Sequence, residues 1–187
     1  TRDFVETFSQ FNENWAFVPE ILAVYAHDYR TGEVIPADLV EKIRNSLKFN
    51  MGFTTGELCA ASILDMKWHE LSSIEGIDVD SFEAKACKEM GLIDEIIPRY
   101  RTTYFNHIFS SGYSAGYYGY LWAEVLDKDA FAAFEESPNG VFDLALAKKF
   151  KETFLEKGGS EEPMTLYKSF RGREPDTTPF LKGRGLL

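Results

Sequence analysis

Apolar residues recur at helical spacing through most of the chain, while strict apolar–polar alternation is largely absent, and this constrains the fold more than any other feature. Phe4, Phe8, Phe11 and Trp15 repeat every three or four residues, with Glu6 on a different face. Pro19 opens a second segment over residues 20–30, and Thr31-Gly32 stops it in the usual place for a glycine cap. Pro36 restarts a helix with Leu39, Val40, Ile43 and Leu47 as its buried stripe. Thr54 and Glu57 have capping-box spacing and introduce a long helix ending near Ser72. Leu58, Ala61, Leu64, Asp65 and Trp68 lie along it, with Asp65 assigned to a solvated edge. Asp80 and Glu83 suggest a cap before a helix over 82–90, which Gly91 ends. A helix through Val125, Leu126 and Phe131 to Phe134 precedes a turn at Pro138-Asn139-Gly140. Residues 142–157 form an amphipathic segment with Leu146, Phe150, Phe154 and Leu155 inward. After Gly158-Gly159, Ser160 is expected to cap a helix that buries Met164, Leu166, Tyr167 and Phe170 before Gly172. The fold class predicted is all-α. No repeat, low-complexity run or linker divides the sequence, so residues 1–187 are expected to form a single helical domain.

Composition narrows the function. The chain is 44% hydrophobic and 15% aromatic, which suits a packed core rather than disorder. Its net charge of -10 argues against nucleic acid as a partner. No apolar run is long enough to cross a bilayer, so no membrane partner is expected. From 168 onward the balance turns positive, with Lys168, Arg171, Arg173, Lys182 and Arg184 against Glu174 and Asp176; such a run reads as a solvated end or an acidic-surface contact. Cys59 and Cys87 lack metal-type spacing and read as reduced, buried thiols. The opening Thr-Arg-Asp-Phe-Val-Glu resembles neither a signal peptide nor an initiator sequence, and the chain is expected to begin inside a longer protein.

The most unusual stretch runs from His107 to Trp122, with Tyr113, Tyr117, Tyr118 and Tyr120 interleaved with Gly112, Gly116 and Gly119. A helix starting at Tyr113 would align Tyr113, Tyr117, Tyr120 and Glu124 on one face and the small residues on a neighbouring one. Glycine costs a helix interior about 1 kcal/mol relative to alanine, so an ordinary core helix is an expensive reading. Ser110, Ser111 and Gly112 read as a flexible loop feeding that helix. Composition alone leaves two readings open, a close helix–helix packing face and a substrate-facing element, with packing slightly ahead.

The chain's own residues do not complete a catalytic apparatus. A metal site needs at least three well-placed ligands, and the only histidines are His27, His69 and His107. His69-Glu70 begins like an H-E-x-x-H helix, but position 73 is serine. No phosphate loop, Ser-His-Asp or Cys-His pattern is present.

Several motifs in one order carry a resemblance: Phe4-Val5-Glu6-x-x-Ser9-Gln10, Arg99-Tyr100-Arg101, His107-x5-Tyr113, Gly116-Tyr117-Tyr118-Gly119-Tyr120-Leu121-Trp122, Gly158-Gly159-Ser160-Glu161 and Phe170-Arg171-Gly172-Arg173. Together they resemble the C-terminal part of the thimet-oligopeptidase-like zinc metallopeptidases, and most closely the bacterial peptidyl-dipeptidases. The resemblance covers essentially the whole chain. It implies that Glu6 matches the family's third zinc ligand, with the other two ligands and the general base on an H-E-x-x-H helix that these residues lack. It implies that Tyr113 and Tyr120 bind substrate and polarise the scissile carbonyl, with His107 as a further donor. Tyr117 would line the same wall on a mobile glycine-rich loop, and Ser9 and Gln10 would hold Glu6. Arg99 and Arg101 are candidates for a substrate carboxylate, although a structural ion pair is the stronger expectation for at least one of them.

The resulting expectation is the C-terminal portion of a cytoplasmic zinc peptidase that removes dipeptides from oligopeptide C-termini. Zinc would belong to the full-length parent, with the missing N-terminal part as partner, and this portion alone would bind no metal and be inactive. The alternatives are an endo-acting oligopeptidase of the same family and a non-catalytic helical module that binds peptides through the tyrosine face.

Overall fold

The computed structural model describes all residues, Thr1–Leu187. The chain is all-helical, with no strand and a single isolated antiparallel bridge between His27 and Val34. Its helices are α1 (Thr7–Glu13), α2 (Pro19–Tyr25), α3 (Ala37–Leu47), α4 (Met51–His69), α5 (Val79–Glu89), α6 (Asn106–Phe109), α7 (Gly119–Glu135), α8 (Leu144–Phe150), α9 (Pro163–Arg171) and α10 (Thr178–Gly183). They group into two compact units. One, here the terminal unit, joins Thr1, residues 3–49 and residues 123–187; the other comprises Arg2 and residues 50–122.

The terminal unit is built on aromatic packing. Phe11 stacks on Phe150 at 4.3 Å, and the fully buried Phe154 meets Phe4, Phe8, Phe150 and Phe170 at 5.2–5.9 Å. Three of the residues spaced at helical intervals near the N-terminus therefore do face the core, although α1 itself is short and a 3-10 turn, Asn14–Phe17, follows it. The segment expected as helix over 142–157 is instead capped by Asp143, which accepts from the N–H groups of Ala145 and Leu146 at 2.9 and 3.1 Å. It then widens into a π turn, Lys151–Leu155. A π turn inserts an extra residue into the helical repeat, so Phe154 is buried while Leu155, read as inward, is exposed.

Other boundaries differ for local reasons. α2 ends at Tyr25, not near residue 30, because Asp28 captures the N–H groups of Arg30 and Thr31 in a side-chain turn. Gly32, with φ +73, completes that turn. Only Val40 of the stripe expected in α3 is buried; Leu39 and Leu47 are exposed. α9 begins at Pro163 and is not capped by Ser160, while Gly172 ends it in the left-handed conformation as expected.

Within the basic C-terminal run, arginines are anchored while Lys168 and Lys182 are exposed. Arg184 is buried and bonds Glu124 of α7 through Nε at 3.0 Å and Nη2 at 2.5 Å. Arg173 donates to both oxygens of Asp129 at 2.5 and 3.0 Å, and the buried Tyr167 hydroxyl donates to the same carboxylate. Burial and that hydrogen bond together hold the Tyr167 phenol well above its ordinary pKa.

In the 50–122 unit, α4 starts at Met51, three residues ahead of the expected capping box, from an Asn50 in the left-handed region (φ 55) that asparagine tolerates. The cap of α5 is Asp78, which accepts from the Ser81 N–H at 2.9 Å, rather than Asp80. Glu83 is buried and ties α5 to the chain ahead of α6. Its carboxylate accepts from Arg101 Nε at 2.6 Å and from the Thr102 N–H at 2.7 Å.

Candidate functional site

The tyrosines expected to share one face come together in the 50–122 unit, but not on a helix. Residues 114–118 form turns, and α7 begins only at Gly119. The turns are closed by the Tyr113 N–H on the His107 carbonyl at 3.0 Å, the Gly116 N–H on the Tyr113 carbonyl at 2.8 Å, and the Gly119 N–H on the Gly116 carbonyl at 3.0 Å. One glycine is explained by this geometry: Gly112 adopts φ +85, and a Cβ there would come within 2.9 Å of Arg2 Nη2. Ala115 adopts φ 51, a conformation that costs an L-residue about 1–2 kcal/mol.

Asp65 supplies the compensating interaction. It is fully buried, contrary to the solvated edge position read from the sequence. Oδ1 accepts from the Ala115 N–H and Oδ2 from the Tyr117 N–H, each at 2.9 Å. His69, one turn later on α4, places Nδ1 at 2.8 Å from both Asp65 Oδ1 and the Asp65 carbonyl. Alternate backbone N–H groups converging on one carboxylate form an anion-holding nest whose anion belongs to the protein itself.

The rings then meet. Tyr113 and Tyr120 stack with centroids 5.1 Å apart, and Tyr117 lies 5.2 Å from Tyr120. His107, on α6, sits 6.2 Å from Tyr113, 5.5 Å from Tyr117 and 6.1 Å from Tyr120. Its Nδ1 is buried without a hydrogen-bond partner, the condition of a group whose partner is a ligand or water. Tyr113 and Tyr120 are half-buried. Tyr117 is only 4% exposed and packs with Ala61, Phe105 and Ile108. Burial pushes its phenol up to about 12, with Tyr100 adding to the rise and Arg99 opposing it. Tyr117 therefore stays protonated at any physiological pH and forms the floor beneath its neighbours. The Arg2 guanidinium lies 4.9 Å over the Tyr113 ring.

The two candidate arginines separate. Arg101 is engaged by buried Glu83. Arg99 is half-exposed, lies 5.2 Å over the Tyr100 ring and holds Glu57 only loosely, at 3.9 Å. Glu6 belongs to the terminal unit, where it immediately precedes α1. The Ser9 hydroxyl donates to Glu6 Oε2 at 3.1 Å and to its carbonyl at 2.9 Å, and the Gln10 N–H donates to the same carbonyl at 3.0 Å. Ser9 thus restrains the Glu6 carboxylate, whereas Gln10 reaches only its carbonyl. A zinc site takes at least three protein ligands, however, and no three His, Cys, Asp or Glu side chains gather to hold a metal ion. The residues of this chain do not by themselves fit that group.

A helical scaffold presenting paired phenols beside an imidazole with one unpartnered nitrogen is a donor array suited to a carbonyl or an oxyanion. The class follows from comparison: the model of peptidase family M3 matches residues 1–186, and the chain belongs to that family. Among its relatives, dipeptidyl carboxypeptidase of Escherichia coli (strain K12) is 43% identical over 187 residues, covering 99% of this chain and 27% of that protein. Oligopeptidase A of Haemophilus influenzae is 37% identical, and the probable cytosolic oligopeptidase A of Arabidopsis thaliana 35%, each over 99% of this chain and 27% of the relative. The chain thus spans about a quarter of the length of the curated relatives it matches.

Proposed function

We propose that this chain is the C-terminal portion of the catalytic domain of a zinc peptidase that removes dipeptides from the C-termini of oligopeptides. The observation that carries the reading is the Tyr113–Tyr120 stack beside the orphaned His107 nitrogen, in a chain more similar to a dipeptidyl carboxypeptidase than to the oligopeptidases A. In this reading the Tyr113 and Tyr120 hydroxyls donate to the scissile carbonyl as charge develops on its oxygen, and His107 donates to the substrate backbone. Tyr117 supports the pair from below. Arg99 is the cation available to a substrate's C-terminal carboxylate, Arg101 being held by Glu83. Glu6 is assigned as one zinc ligand, and the remaining ligands come from an H-E-x-x-H helix outside these 187 residues. Its partners are oligopeptides and the remainder of the same enzyme, and the compartment is the cytoplasm, as in the name of the Arabidopsis relative. No helix of the chain is long and apolar enough to cross a membrane.

The test uses one short peptide with a free C-terminus and the same peptide amidated, cleaved by the intact protein. Dipeptide release from the free form, with kcat/KM for the amide lower by about tenfold or more, supports the reading, because a charge-assisted hydrogen bond to the carboxylate is lost. Equal cleavage of the two would transfer the assignment to an endo-acting oligopeptidase, the reading that the 37% identity to oligopeptidase A favours.

A further inference from the structure

We propose that Asp65, steadied by His69, is the positioning residue of the tyrosine site; the inference rests on the role assigned above to Tyr113 and Tyr120. Asp65 acts through the backbone that carries the rings, by way of the Ala115 and Tyr117 N–H groups.

The turn between Tyr113 and α7 is held locally by short-range backbone hydrogen bonds and by the Ser114 hydroxyl, which donates to the Ile108 carbonyl at 2.6 Å, while the left-handed Ala115 works against it. Against that stand two hydrogen bonds from Ala115 and Tyr117 to a single buried carboxylate. Bonds to an ionised acceptor are about twice as strong as neutral ones, and a buried acceptor that loses its donors bears a desolvation penalty. The two interactions are spaced so that Gly116 lies between them. The carboxylate consequently fixes the Ser114–Ala115 and Gly116–Tyr117 peptide planes, and with them the register between Tyr113 before the turn and Tyr120 after it. His69 closes the arrangement from the α4 side by placing Nδ1 2.8 Å from Oδ1. The scaffold under this latch is buried: Asp65 sits inside α4 next to the fully buried Leu64 and one turn beyond Ala61, which packs with Tyr117. An error of about 1 Å in the placement of donors at a reacting carbonyl costs about a hundredfold in rate, so a residue that sets this register sets kcat.

The experiment compares Asp65→Asn with the wild-type intact protein by two measurements. Amide hydrogen exchange over residues 111–118 should accelerate about tenfold or more, while α5 and the C-terminal half of α7 keep their protection. On a peptide substrate kcat should fall about tenfold or more with KM little changed. Exchange that stays unchanged, or rises uniformly through the unit, overturns the proposal, since the first shows no latch and the second shows only general structural support. Should Asp65→Asn not yield folded protein, His69→Phe carries the same test: exchange must rise within 111–118 alone, and kcat must fall. Tyr113→Phe and Tyr120→Phe separate the two levels of inference. Loss of hydrolysis in the tyrosine variants with full hydrolysis in Asp65→Asn sinks the latch alone, whereas full hydrolysis in the tyrosine variants sinks the functional reading beneath it.

Discussion

Asp65 and Asp127 are both carboxylates with no exposure to water, and the protein treats them in opposite ways. Asp65 receives two backbone N–H groups and a histidine. Asp127 receives the Asn14 side-chain amide at 2.5 Å on Oδ1, while Oδ2 has no hydrogen-bond partner and lies 3.5 Å from Lys128 Nζ. Burial pushes the Asp127 carboxyl up to about 6, with Lys128 and Asn14 pulling it down and Glu124 adding to the rise. A folded-state value above the unfolded one means that the native state holds the proton more tightly. The stability this contributes is full below about pH 4 and is lost as pH rises through 6. Asp127→Asn, which cannot ionise, should therefore stabilise the fold by about 1–2 kcal/mol at pH 8 and change it little at pH 4. Denaturant midpoints at the two pH values check this, and a destabilised variant at pH 8 would show that the Lys128 contact outweighs the burial penalty.

Among the elements, α5 is held to the chain ahead of α6 through one residue. Burial alone would raise the Glu83 carboxyl, but the Thr102 and Arg101 hydrogen bonds outweigh it and the net shift is downward. The stability from this carboxylate is present above the unfolded value of about 4.3 and is lost as pH falls through the lower folded value. Glu83→Ala leaves the buried Thr102 N–H and the Arg101 guanidinium unanswered and should cost about 2–3 kcal/mol at pH 7. The gap between variant and wild type should close at acid pH, as measured by chemical denaturation across the range. In the terminal unit, Phe154 joins the π turn to α1, α8 and α9 through ring contacts, and Phe154→Ala should cost about 3–5 kcal/mol. Phe154→Leu should recover much of that loss. These elements were legible to different depths. The aromatic spacing of Phe4, Phe8 and Phe11 marks a core-facing segment without any tertiary information. The π turn is invisible to a 3.6-residue period, which is why Leu155 was read as inward.

For the whole molecule, the all-helical class and the family follow from pattern and motif order, while the backbone of the site does not. Helical arithmetic groups Tyr113, Tyr117 and Tyr120, and the structure groups them too, but through a turn that ends where α7 begins. Two unlike conformations gather the same three rings because both bring the chain round within a few residues. What decides between them is Asp65, fifty positions upstream of Ala115, and no local signal links the two. The pairing of the basic tail is illegible in the sequence for the same reason. Its partners, Asp129 and Glu124, lie on α7, and charge counting along the sequence sees neither. If the paired phenols act on the scissile carbonyl, steady-state hydrolysis of a short peptide by Tyr113→Phe and Tyr120→Phe in the intact protein will show it. At least one variant should lose about 10²–10³ in kcat with KM changed far less, as removal of an oxyanion donor does. Wild-type kcat in both would contradict it.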